Sequence, residues 1–341
     1  MALLEIDNLD VRYGLDDAEA ATAVRAVDDV SLAIERGETF GLVGESGCGK
    51  TTLGKSIINL LDENGVVAGG TIQFKGQDLA ELSDPAIRDV RWAEIATISQ
   101  SAMNGLNPVY KVGDQITEAI LRHEPETGTQ EADEQARELL ERVGIDGARA
   151  DDFAHEFSGG MKQRAVIAMA IACDPDLIIA DEPTTALDVI VQDAVLQELE
   201  DLQEELGISL LIISHDISVI AETCDRVGVM YGGKLMELGP TEAVFEEPAN
   251  PYTLGLRNSF PDIESTGEQL VSIPGTPPTL EDPEPGCRFR DRCPFAVAEC
   301  KSEHPPLTNV EGSPGHASAC YRLDALAEMR ERATEEETWR R

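Results

Sequence analysis

Short apolar segments alternate along the chain with longer segments of helical periodicity. The apolar segments hold four to six residues, rich in Leu and β-branched types, at 39–43, 95–99, 177–180 and 209–214. Such nearly continuous runs are typical of strands buried on both faces of a parallel sheet. Between the second and third segments, apolar residues recur at helical spacing and stop at Gly144, namely Ala132, Ala136, Leu139, Leu140 and Val143. We therefore predict an α/β fold with an amphipathic, glycine-capped helix in a mostly helical insert at about 101–157.

The composition of the chain changes near residue 260. Residues 274–286 hold five of the 18 prolines, too many for a helix or a central strand, and we interpret them as a linker or an extended wrap. A cysteine-bearing segment follows at about 287–320, and then a charged helical tail. The predicted domains are therefore a main domain at 1–260 and a C-terminal extension at 261–341.

The 341 residues are enough for about two domains and a large core. The longest unbroken apolar run has nine residues, at 165–173, whereas a membrane-spanning helix needs about 18. The amino-terminal segment carries acids where a secretory signal would carry Lys or Arg before an apolar stretch. We therefore expect a chain that does not itself cross a membrane and that is located in the cytoplasm.

Acidic residues dominate the charge, with 65 Asp and Glu against 27 Lys and Arg and a net charge of −38. Such a surface repels phosphate backbones, so we expect no nucleic acid partner. Only seven residues are Lys, and a carboxylate-rich, Lys-poor surface suits concentrated salt, in which the Debye length shortens to about 3 Å at 1 M. We interpret the source as a halophile; an acidic protein of dilute cytosol is the alternative.

The strongest chemical signal is Gly-Glu-Ser-Gly-Cys-Gly-Lys-Thr at 44–51, which matches G-x-x-x-x-G-K-[ST] directly after an apolar segment. In such a loop the glycines let successive N–H groups turn inward around phosphate oxygens. Lys50 then reaches the β- and γ-phosphates, and the Thr51 hydroxyl binds Mg²⁺ at a helix N-terminus. The predicted nucleotide-binding residues here are Gly44, Ser46, Gly47, Cys48, Gly49, Lys50, Thr51 and Thr52.

A second signal is Leu-Ile-Ile-Ala-Asp-Glu at 177–182, a predicted buried strand that ends in two acids. Asp181 is predicted to hold Mg²⁺ through water, and Glu182 to polarise the attacking water. With the loop at 44–51, these acids predict a phosphate-binding-loop NTPase and no further subclass, with Lys50 and Glu182 as catalytic residues.

Residues 157–164, Phe-Ser-Gly-Gly-Met-Lys-Gln-Arg, open a predicted helix that ends near residue 174. Ser158 is a good N-cap, so the helix N-terminus can bind an anion. The segment resembles the L-S-G-G-Q signature of the ATP-binding cassette (ABC) family, with Phe and Met replacing its first and last residues. This resemblance implies an ABC ATPase core with antiparallel β and helical subdomains. It also implies head-to-tail packing of two such domains, so that the γ-phosphate of one is capped by residues of the other equivalent to Ser158, Gly159 and Gly160.

Further positions match the ABC family one by one. Tyr13 matches the residue that stacks on adenine, and His215 matches the switch histidine, which we count as catalytic. Gln100 matches the loop residue that senses the γ-phosphate, binds Mg²⁺ and contacts the membrane partner. Residues 186–188 match the dimer-contact loop. All these roles are implied by the resemblance.

Longer segments narrow the resemblance to D-type ATPase subunits of oligopeptide and dipeptide permeases. They are VGESGCGKTTLGKSI, LNP at 106–108, SGGMKQRAVIAMAIA, ADEPTTALDV and NPYTLGL at 250–256, followed by the cysteine segment. This resemblance covers nearly the whole chain. It implies a second, F-type ATPase subunit, two transmembrane permease subunits, an extracytoplasmic substrate-binding protein and a location at the cytoplasmic face of the membrane. The chain departs from the family at Asn250, where His is more frequent, and at 101–105.

The seven cysteines fall into two groups. We interpret Cys48, Cys173 and Cys224 as small apolar fillers. The others follow C-x5-C-x6-C-x19-C in a segment poor in apolar residues, which a metal centre would hold together: Cys287, Cys293, Cys300 and Cys320. We predict a [4Fe–4S] cluster, with zinc as an alternative although its usual C-x2-4-C spacing is absent, and disulfides or free thiols as a third possibility. D-type relatives include cluster-bearing members.

Three arginines lie next to the first two of these cysteines in the sequence. Positive charge next to the first two ligands would offset the negative charge of a tetrathiolate centre, and it comes from Arg288, Arg290 and Arg292. Because these residues are distant in sequence from the loop at 44–51, we expect the metal centre to fold its own segment and to leave ATP chemistry intact.

The sequence as a whole predicts the ATP-hydrolysing subunit of a peptide importer. The same type of importer carrying nickel or oligosaccharides is one alternative. A soluble ABC ATPase acting on ribosomes or DNA is another, and the single cassette, the acidic surface and the LNP motif count against it. The third is an iron–sulfur electron carrier with a regulatory cassette, against which stands the single four-cysteine set without a flavin motif.

Overall fold

The computed structural model describes residues 2–14, 23–99, 105–185, 187–259 and 272–340. Within these residues the chain forms twelve strands and eleven α-helices. The strands are β1 (Leu4–Tyr13), β2 (Val24–Ile34), β3 (Thr39–Val43), β4 (Gly65–Phe74), β5 (Gln77–Asp78), β6 (Ile95–Ile98), β7 (Leu177–Asp181), β8 (Ser209–Ser214), β9 (Arg226–Tyr231), β10 (Lys234–Pro240), β11 (Thr308–Asn309) and β12 (Ala317–Ser318).

The helices vary from 4 to 18 residues in length. They are α1 (Lys50–Ile57), α2 (Asp84–Val90), α3 (Val112–His123), α4 (Thr129–Arg142), α5 (Gly159–Ala170), α6 (Val189–Leu206), α7 (Ile217–Thr223), α8 (Thr241–Glu246), α9 (Pro251–Asn258), α10 (Leu326–Ala333) and α11 (Glu336–Trp339).

The chain divides into two compact units. The first unit comprises Met1–Leu3, Ile34–Thr39 and Glu81–Ile213, and the second comprises Leu4–Ala33, Phe40–Ala80 and Ser214–Arg341. The predicted boundary at residue 260 rests on composition and stays a prediction.

The first unit contains parallel strands in the order β8-β7-β6. All residues of β8 and the first four of β7 are buried, as expected for strands covered on both faces. Helix α5 packs on β6, and α3, α4 and α6 pack on α5. Each of α3 and α4 buries one apolar face, which makes them the amphipathic helices of the predicted insert.

The second unit contains an antiparallel sheet in the order β2-β1-β4-β5 and a further set of strands in the order β11-β12-β10-β9-β3. In the latter, β9 pairs in parallel with β3 and antiparallel with β10. Strand β3 is buried throughout, and the loop at 44–49 joins its carboxyl end to α1. This is the edge of a parallel sheet at which α/β proteins bind their ligands.

The residues after 272 are part of the second unit and extend its sheet, because β12 pairs with β10 and β11 pairs with β12. The proline-rich segment is an extended wrap along β2, where the Arg25 amide donates to the Leu280 carbonyl at 2.9 Å. The cysteine segment is also anchored by apolar packing. Phe289 is buried with its ring centroid 5.3 Å from those of Tyr231 and Tyr252. Apolar packing therefore contributes to holding this segment, and the predicted contribution of a metal centre stays a prediction.

The four predicted strands are confirmed, with differences of one residue at the ends of β6 and β7. The glycine-capped helix is α4, followed by Gly144 at φ 70°. Helix α5 starts where predicted but ends at Ala170, four residues before the predicted end. Pro175 disfavours helical backbone at Asp174, which instead adopts φ 45°.

Candidate nucleotide-binding site

The loop between β3 and α1 has a backbone that only glycine permits at two positions. A Cβ atom at Gly44 would lie 2.1 Å from the Met230 carbonyl oxygen, and one at Gly49 would lie 2.0 Å from that of Ala26. Gly49 also has φ 107°, a conformation that side chains oppose. The glycines thus let the loop turn tightly against neighbouring backbone before α1 begins.

Lys50 is the first residue of α1 and its side chain turns back over the loop. Its Nζ donates to the carbonyl oxygens of Gly44 at 2.7 Å and Glu45 at 3.3 Å. The residue is 7 % exposed, whereas Ser46, Gly47 and Thr51 are exposed. A buried ammonium inside a loop that opens a helix is a site for an anion, because the helix N-terminus adds N–H groups without acceptors in the helix itself and a positive partial charge.

His215 lies beside this loop. It lines a cavity of about 270 Å³ together with Gly44, Glu45 and Ser46. The structure thus brings the predicted switch histidine and the predicted phosphate loop to one cavity of the second unit. Whether His215 acts on the γ-phosphate stays a prediction.

Tyr13 ends β1 and is linked to the start of α1. Its hydroxyl donates to Thr52 Oγ1 at 3.4 Å, and its ring packs on Gly65, where a Cβ would come within 2.6 Å. Tyr13 and Thr52 therefore lie next to each other in the second unit, as residues of one nucleotide site would.

The acid pair lies in the first unit. Asp181 ends β7, paired in register with Ile213 of β8. Glu182 follows with φ 52°, a left-handed conformation that is uncommon for a side chain of this type. Its amide donates to the Ile213 carbonyl at 2.8 Å, and its Oε2 accepts from the Thr185 hydroxyl at 3.0 Å. A strained residue held by both its backbone and its carboxylate is typical of functional sites.

The predicted signature forms the N-terminus of α5. The Ser158 side chain accepts from the Met161 amide at 3.3 Å, which is an N-cap hydrogen bond. Gly160 is packed closely, since a Cβ there would lie 2.8 Å from Val191 Cγ1. Ser158 itself is exposed, so the start of this helix is open to a ligand or to a partner protein.

Two predicted contacts fall partly outside the described residues. Gln100 and Ala186 are not among them, so their predicted roles stay predictions. Asp188, next to Ala186, caps α6 by accepting from the Val191 amide at 3.1 Å. The two residues that follow it, Val189 and Ile190, are 72 % and 82 % exposed.

All four predicted metal-ligating cysteines line one small cavity of the second unit. It contains Cys287, Cys293, Cys300 and Cys320, and no His, Asp or Glu. Backbone N–H groups point at these sulfurs, as from Arg322 to Cys320 Sγ at 3.3 Å. An all-sulfur donor set with amide hydrogen bonds is the type of donor set that soft metal centres take.

The pKa values of Cys287 and Cys320, two of these thiols, are raised. Burial raises the pKa of Cys287 to about 11 and that of Cys320 to about 12, against opposing hydrogen bonds from nearby amides. Without a bound cation, the thiols of Cys287 and Cys320 therefore keep their protons at neutral pH. Among the described residues, however, no group of three or more His, Cys, Asp or Glu side chains could hold a metal ion.

The comparisons with known proteins agree with this geometry. A sequence model of ABC transporters matches residues 27–185, and one of the oligopeptide/dipeptide transporter C-terminal region matches residues 236–300. The chain is 42 % identical over 332 residues to the probable peptide ABC transporter ATP-binding protein y4tR of Sinorhizobium fredii, covering 96 % of this chain and 97 % of that protein. It is 43 % identical over 329 residues to the dipeptide transport ATP-binding protein DppD of Bacillus subtilis, covering 96 % of each.

The chain belongs to the ABC transporter ATP-binding proteins. Among solved structures it is similar to the ATP-binding cassette MJ0796 in a dimeric post-hydrolysis state bound to ADP and Pi, with a TM-score of 0.61 and 26 % identity over 70 % of this chain and 98 % of that one. The ABC ATPase fold and the activity of an ATPase follow from this membership. No helix in the described part of this cassette has the length and apolar character needed to span a bilayer.

One contact of the cassette was missed by sequence reasoning. Arg292, the residue before Cys293, forms an ion pair with Glu45 of the phosphate loop, with Nη1 2.7 Å from Oε2 and Nη2 3.0 Å from Oε1. The two residues are 247 positions apart, and no local pattern links them. The cysteine segment is distant from the nucleotide loop in sequence, and folding brings the two into contact. The expectation that ATP chemistry is independent of this segment stays a prediction.

Proposed function

We propose that this cassette is the ATP-hydrolysing subunit of an ABC importer for peptides. The observation that carries the proposal is the match to an oligopeptide/dipeptide transporter C-terminal region at 236–300, beyond the part shared with ABC transporters at large. Relatives named for peptide and dipeptide transport match nearly the whole chain and support the same cargo class.

The residues predicted for the nucleotide site have separate roles in the proposed reaction. Lys50 would neutralise the β- and γ-phosphates. Thr51, Gln100 and Asp181 would hold Mg²⁺. Mg²⁺ supplies charge neutralisation of the phosphates when bound. Glu182 would orient or deprotonate the attacking water, His215 would sense the γ-phosphate, and Tyr13 would stack on adenine.

A second cassette would complete the site. We infer that Ser158, Gly159 and Gly160 cap the γ-phosphate of a partner cassette, and that this partner is a different, F-type chain. Support comes from the exposed signature helix start and from the large apolar side chains of Val189 and Ile190, which are exposed beside the dimer-contact loop. Apolar side chains this exposed are typical of protein interfaces when they lie together.

Membrane partners are the other requirement of an importer. We infer two permease subunits and an extracytoplasmic binding protein, with the cassette held at the cytoplasmic face through the permeases. Val109 and Tyr110, which follow the LNP motif, are 72 % and 56 % exposed and offer an apolar contact of the kind a permease could cover.

We also infer that the four cysteines hold a [4Fe–4S] cluster. Their convergence on one cavity, the all-sulfur donor set and the amide hydrogen bonds support it. A single zinc ion would need sulfurs roughly 3.8 Å apart for its tetrahedral bonds. The lack of a single-ion group among the described residues counts against zinc and less against a cluster, whose irons and sulfides separate the ligands.

The test of the importer is purification of the complex from its host membrane. Peptide in the co-purifying binding protein, together with two permease chains and a second cassette, is the expected result. Nickel or oligosaccharide in that binding protein would change the cargo. A cassette that never co-purifies with membrane proteins would contradict the proposal.

A further inference from the structure

The guanidinium of Arg292 has a partner for each of its five N–H donors. Nε donates to the Pro274 carbonyl at 2.9 Å, and Nη2 donates to the Ile273 carbonyl at 3.4 Å. Nη1 donates to the Tyr231 hydroxyl at 3.1 Å, and the remaining donors grip both oxygens of Glu45. The side chain is 9 % exposed. A buried two-pronged pair of this kind is both strong and geometrically specific.

Glu45 is fixed at three points. Its carboxylate is held by Arg292, its amide donates to the Tyr252 hydroxyl at 3.0 Å, and its carbonyl accepts from Lys50 Nζ at 3.3 Å. Two of these three contacts come from residues after 250. The C-terminal part of the second unit therefore sets the position of the second residue in the phosphate loop.

The charge of Glu45 makes this contact matter for nucleotide binding. A carboxylate in a loop that must bind phosphates opposes the anion, and because Glu45 is mostly buried the repulsion is weakly screened by salt. Paired with Arg292, the carboxylate carries no net charge toward the site. Without Arg292, the loop would carry one uncompensated negative charge among its eight residues.

We propose that Arg292 is a positioning residue for nucleotide binding, which holds and neutralises Glu45 so that the phosphate loop can bind an anion. Nucleotide affinity then depends on the fold of the segment that carries Arg292, and the cysteine segment regulates the ATPase through this one side chain. The inference rests on the proposed role of the phosphate loop as the ATP site.

The first experiment measures the affinity of the full chain for Mg-ADP, which occupies the phosphate loop without turnover. Arg292→Gln should raise the Kd by about tenfold or more, because it leaves a buried carboxylate unpaired. Adding Glu45→Gln to Arg292→Gln removes that charge and should restore the Kd to within about threefold of the wild type. A purely structural loss would not be rescued by a second substitution.

Arg330→Gln is the matched control. Arg330 also lies in the C-terminal tail and also grips a loop, donating to the Glu247 and Pro248 carbonyls at 2.7 and 3.0 Å, but that loop is not the phosphate loop. The control should bind Mg-ADP as the wild type does. Equal affinities of Arg292→Gln and Arg330→Gln, or a double variant no tighter than Arg292→Gln, would overturn the inference.

A second measurement needs no substitution. Coupling between two sites is reciprocal, so bound Mg-ADP must stabilise the Arg292 contact if the contact favours nucleotide. Hydrogen exchange of the wild-type chain should slow at 288–295 as well as at 44–51 when Mg-ADP binds. Slowing at 44–51 alone would overturn the inference even if Arg292→Gln fails to fold. A wild type that binds no Mg-ADP would instead contradict the proposed function.

Discussion

At the scale of single residues, Lys50 tests the phosphate site. Lys50→Ala removes the buried ammonium from a loop that has to bind phosphates, so binding of Mg-ATP should be lost at concentrations that saturate the wild type. Lys55→Ala on the same helix is the control, because Lys55 is half-exposed and pairs only weakly with Asp62 at 3.3 Å. Equal loss in both variants would point to damage of α1 and not to a phosphate contact.

Glu182 tests the chemical step. Glu182→Gln keeps the hydrogen bond from the backbone amide of residue 182 to the Ile213 carbonyl and the turn at φ 52°, but it removes the base that activates water. ATP should still bind, the two-cassette complex should accumulate, and turnover should fall by a factor of about 10² to 10⁴. Steady-state hydrolysis with the partner cassette present is the measurement. Unchanged turnover would remove Glu182 from the mechanism.

Residues whose role depends on their neighbours in the chain can be predicted from sequence, and residues whose role depends on a distant partner cannot. Lys50, Asp181 and Ser158 were identifiable because their chemistry depends on immediate neighbours in the chain, such as a strand before them or a helix after them. Arg292 was identifiable only as one of three arginines near cysteines. Its partner Glu45 lies 247 residues earlier, and that pairing exists only once the second unit has folded.

At the scale of elements, Asn250 joins three parts of the second unit. Its side chain accepts from the Tyr252 amide at 3.0 Å and so caps α9, and it donates to the Met236 and Ala319 carbonyls at 3.0 Å each. Asn250→Ala should lower the free energy of unfolding by about 2–3 kcal/mol, because it removes a cap and leaves buried carbonyls unpaired. Denaturant unfolding measures this. A loss below about 0.5 kcal/mol would mean that water replaces the amide.

The proposed cluster in the cysteine segment can be tested by metal analysis and by substitution of one cysteine. Anaerobically purified protein should be brown with roughly four irons per chain, and Cys293→Ser should lower the iron content and expose residues after 286 to protease. Because Arg292 is its neighbour, Mg-ADP affinity should fall as well. Cys173→Ser, in the first unit, should change neither property. Stoichiometric zinc in place of iron would make the site a zinc site, and no metal at all would end the cluster proposal.

Hydrophobic patterns predict the interiors of strands and helices better than their ends. Buried strands such as β3 and β8 were predictable because continuous apolar runs leave no exposed face. Helix α5 ends at Ala170, earlier than its apolar run suggests, and Pro175, five residues on, forces the backbone at Asp174 away from helix. Strands β11 and β12 have only two residues each, and they form because β12 pairs with β10 and β11 pairs with β12. Segments this short have no periodicity from which a strand could be predicted.

At the scale of the whole molecule, the net charge of −38 predicts a dependence on salt. We infer a salt-adapted source, in which molar KCl screens repulsion among the 65 acids. The melting temperature should therefore rise as KCl increases from about 0.1 M to molar levels. Sucrose of matched osmolality is the control, because it favours compact states without screening charge. A melting temperature that is flat or falls with KCl would contradict salt adaptation and favour an acidic protein of dilute cytosol.

The pairing of β10 with β12 has a consequence for folding during synthesis on the ribosome. Strand β12 is made about 80 residues after its neighbour, which at about 5–20 residues per second is a delay of roughly 4–16 s. During that interval one edge of β10 shows its N–H and C=O groups to any other nascent chain. Chaperones should therefore engage this cassette late in its synthesis, and chains that stop before residue 317 should aggregate through that edge.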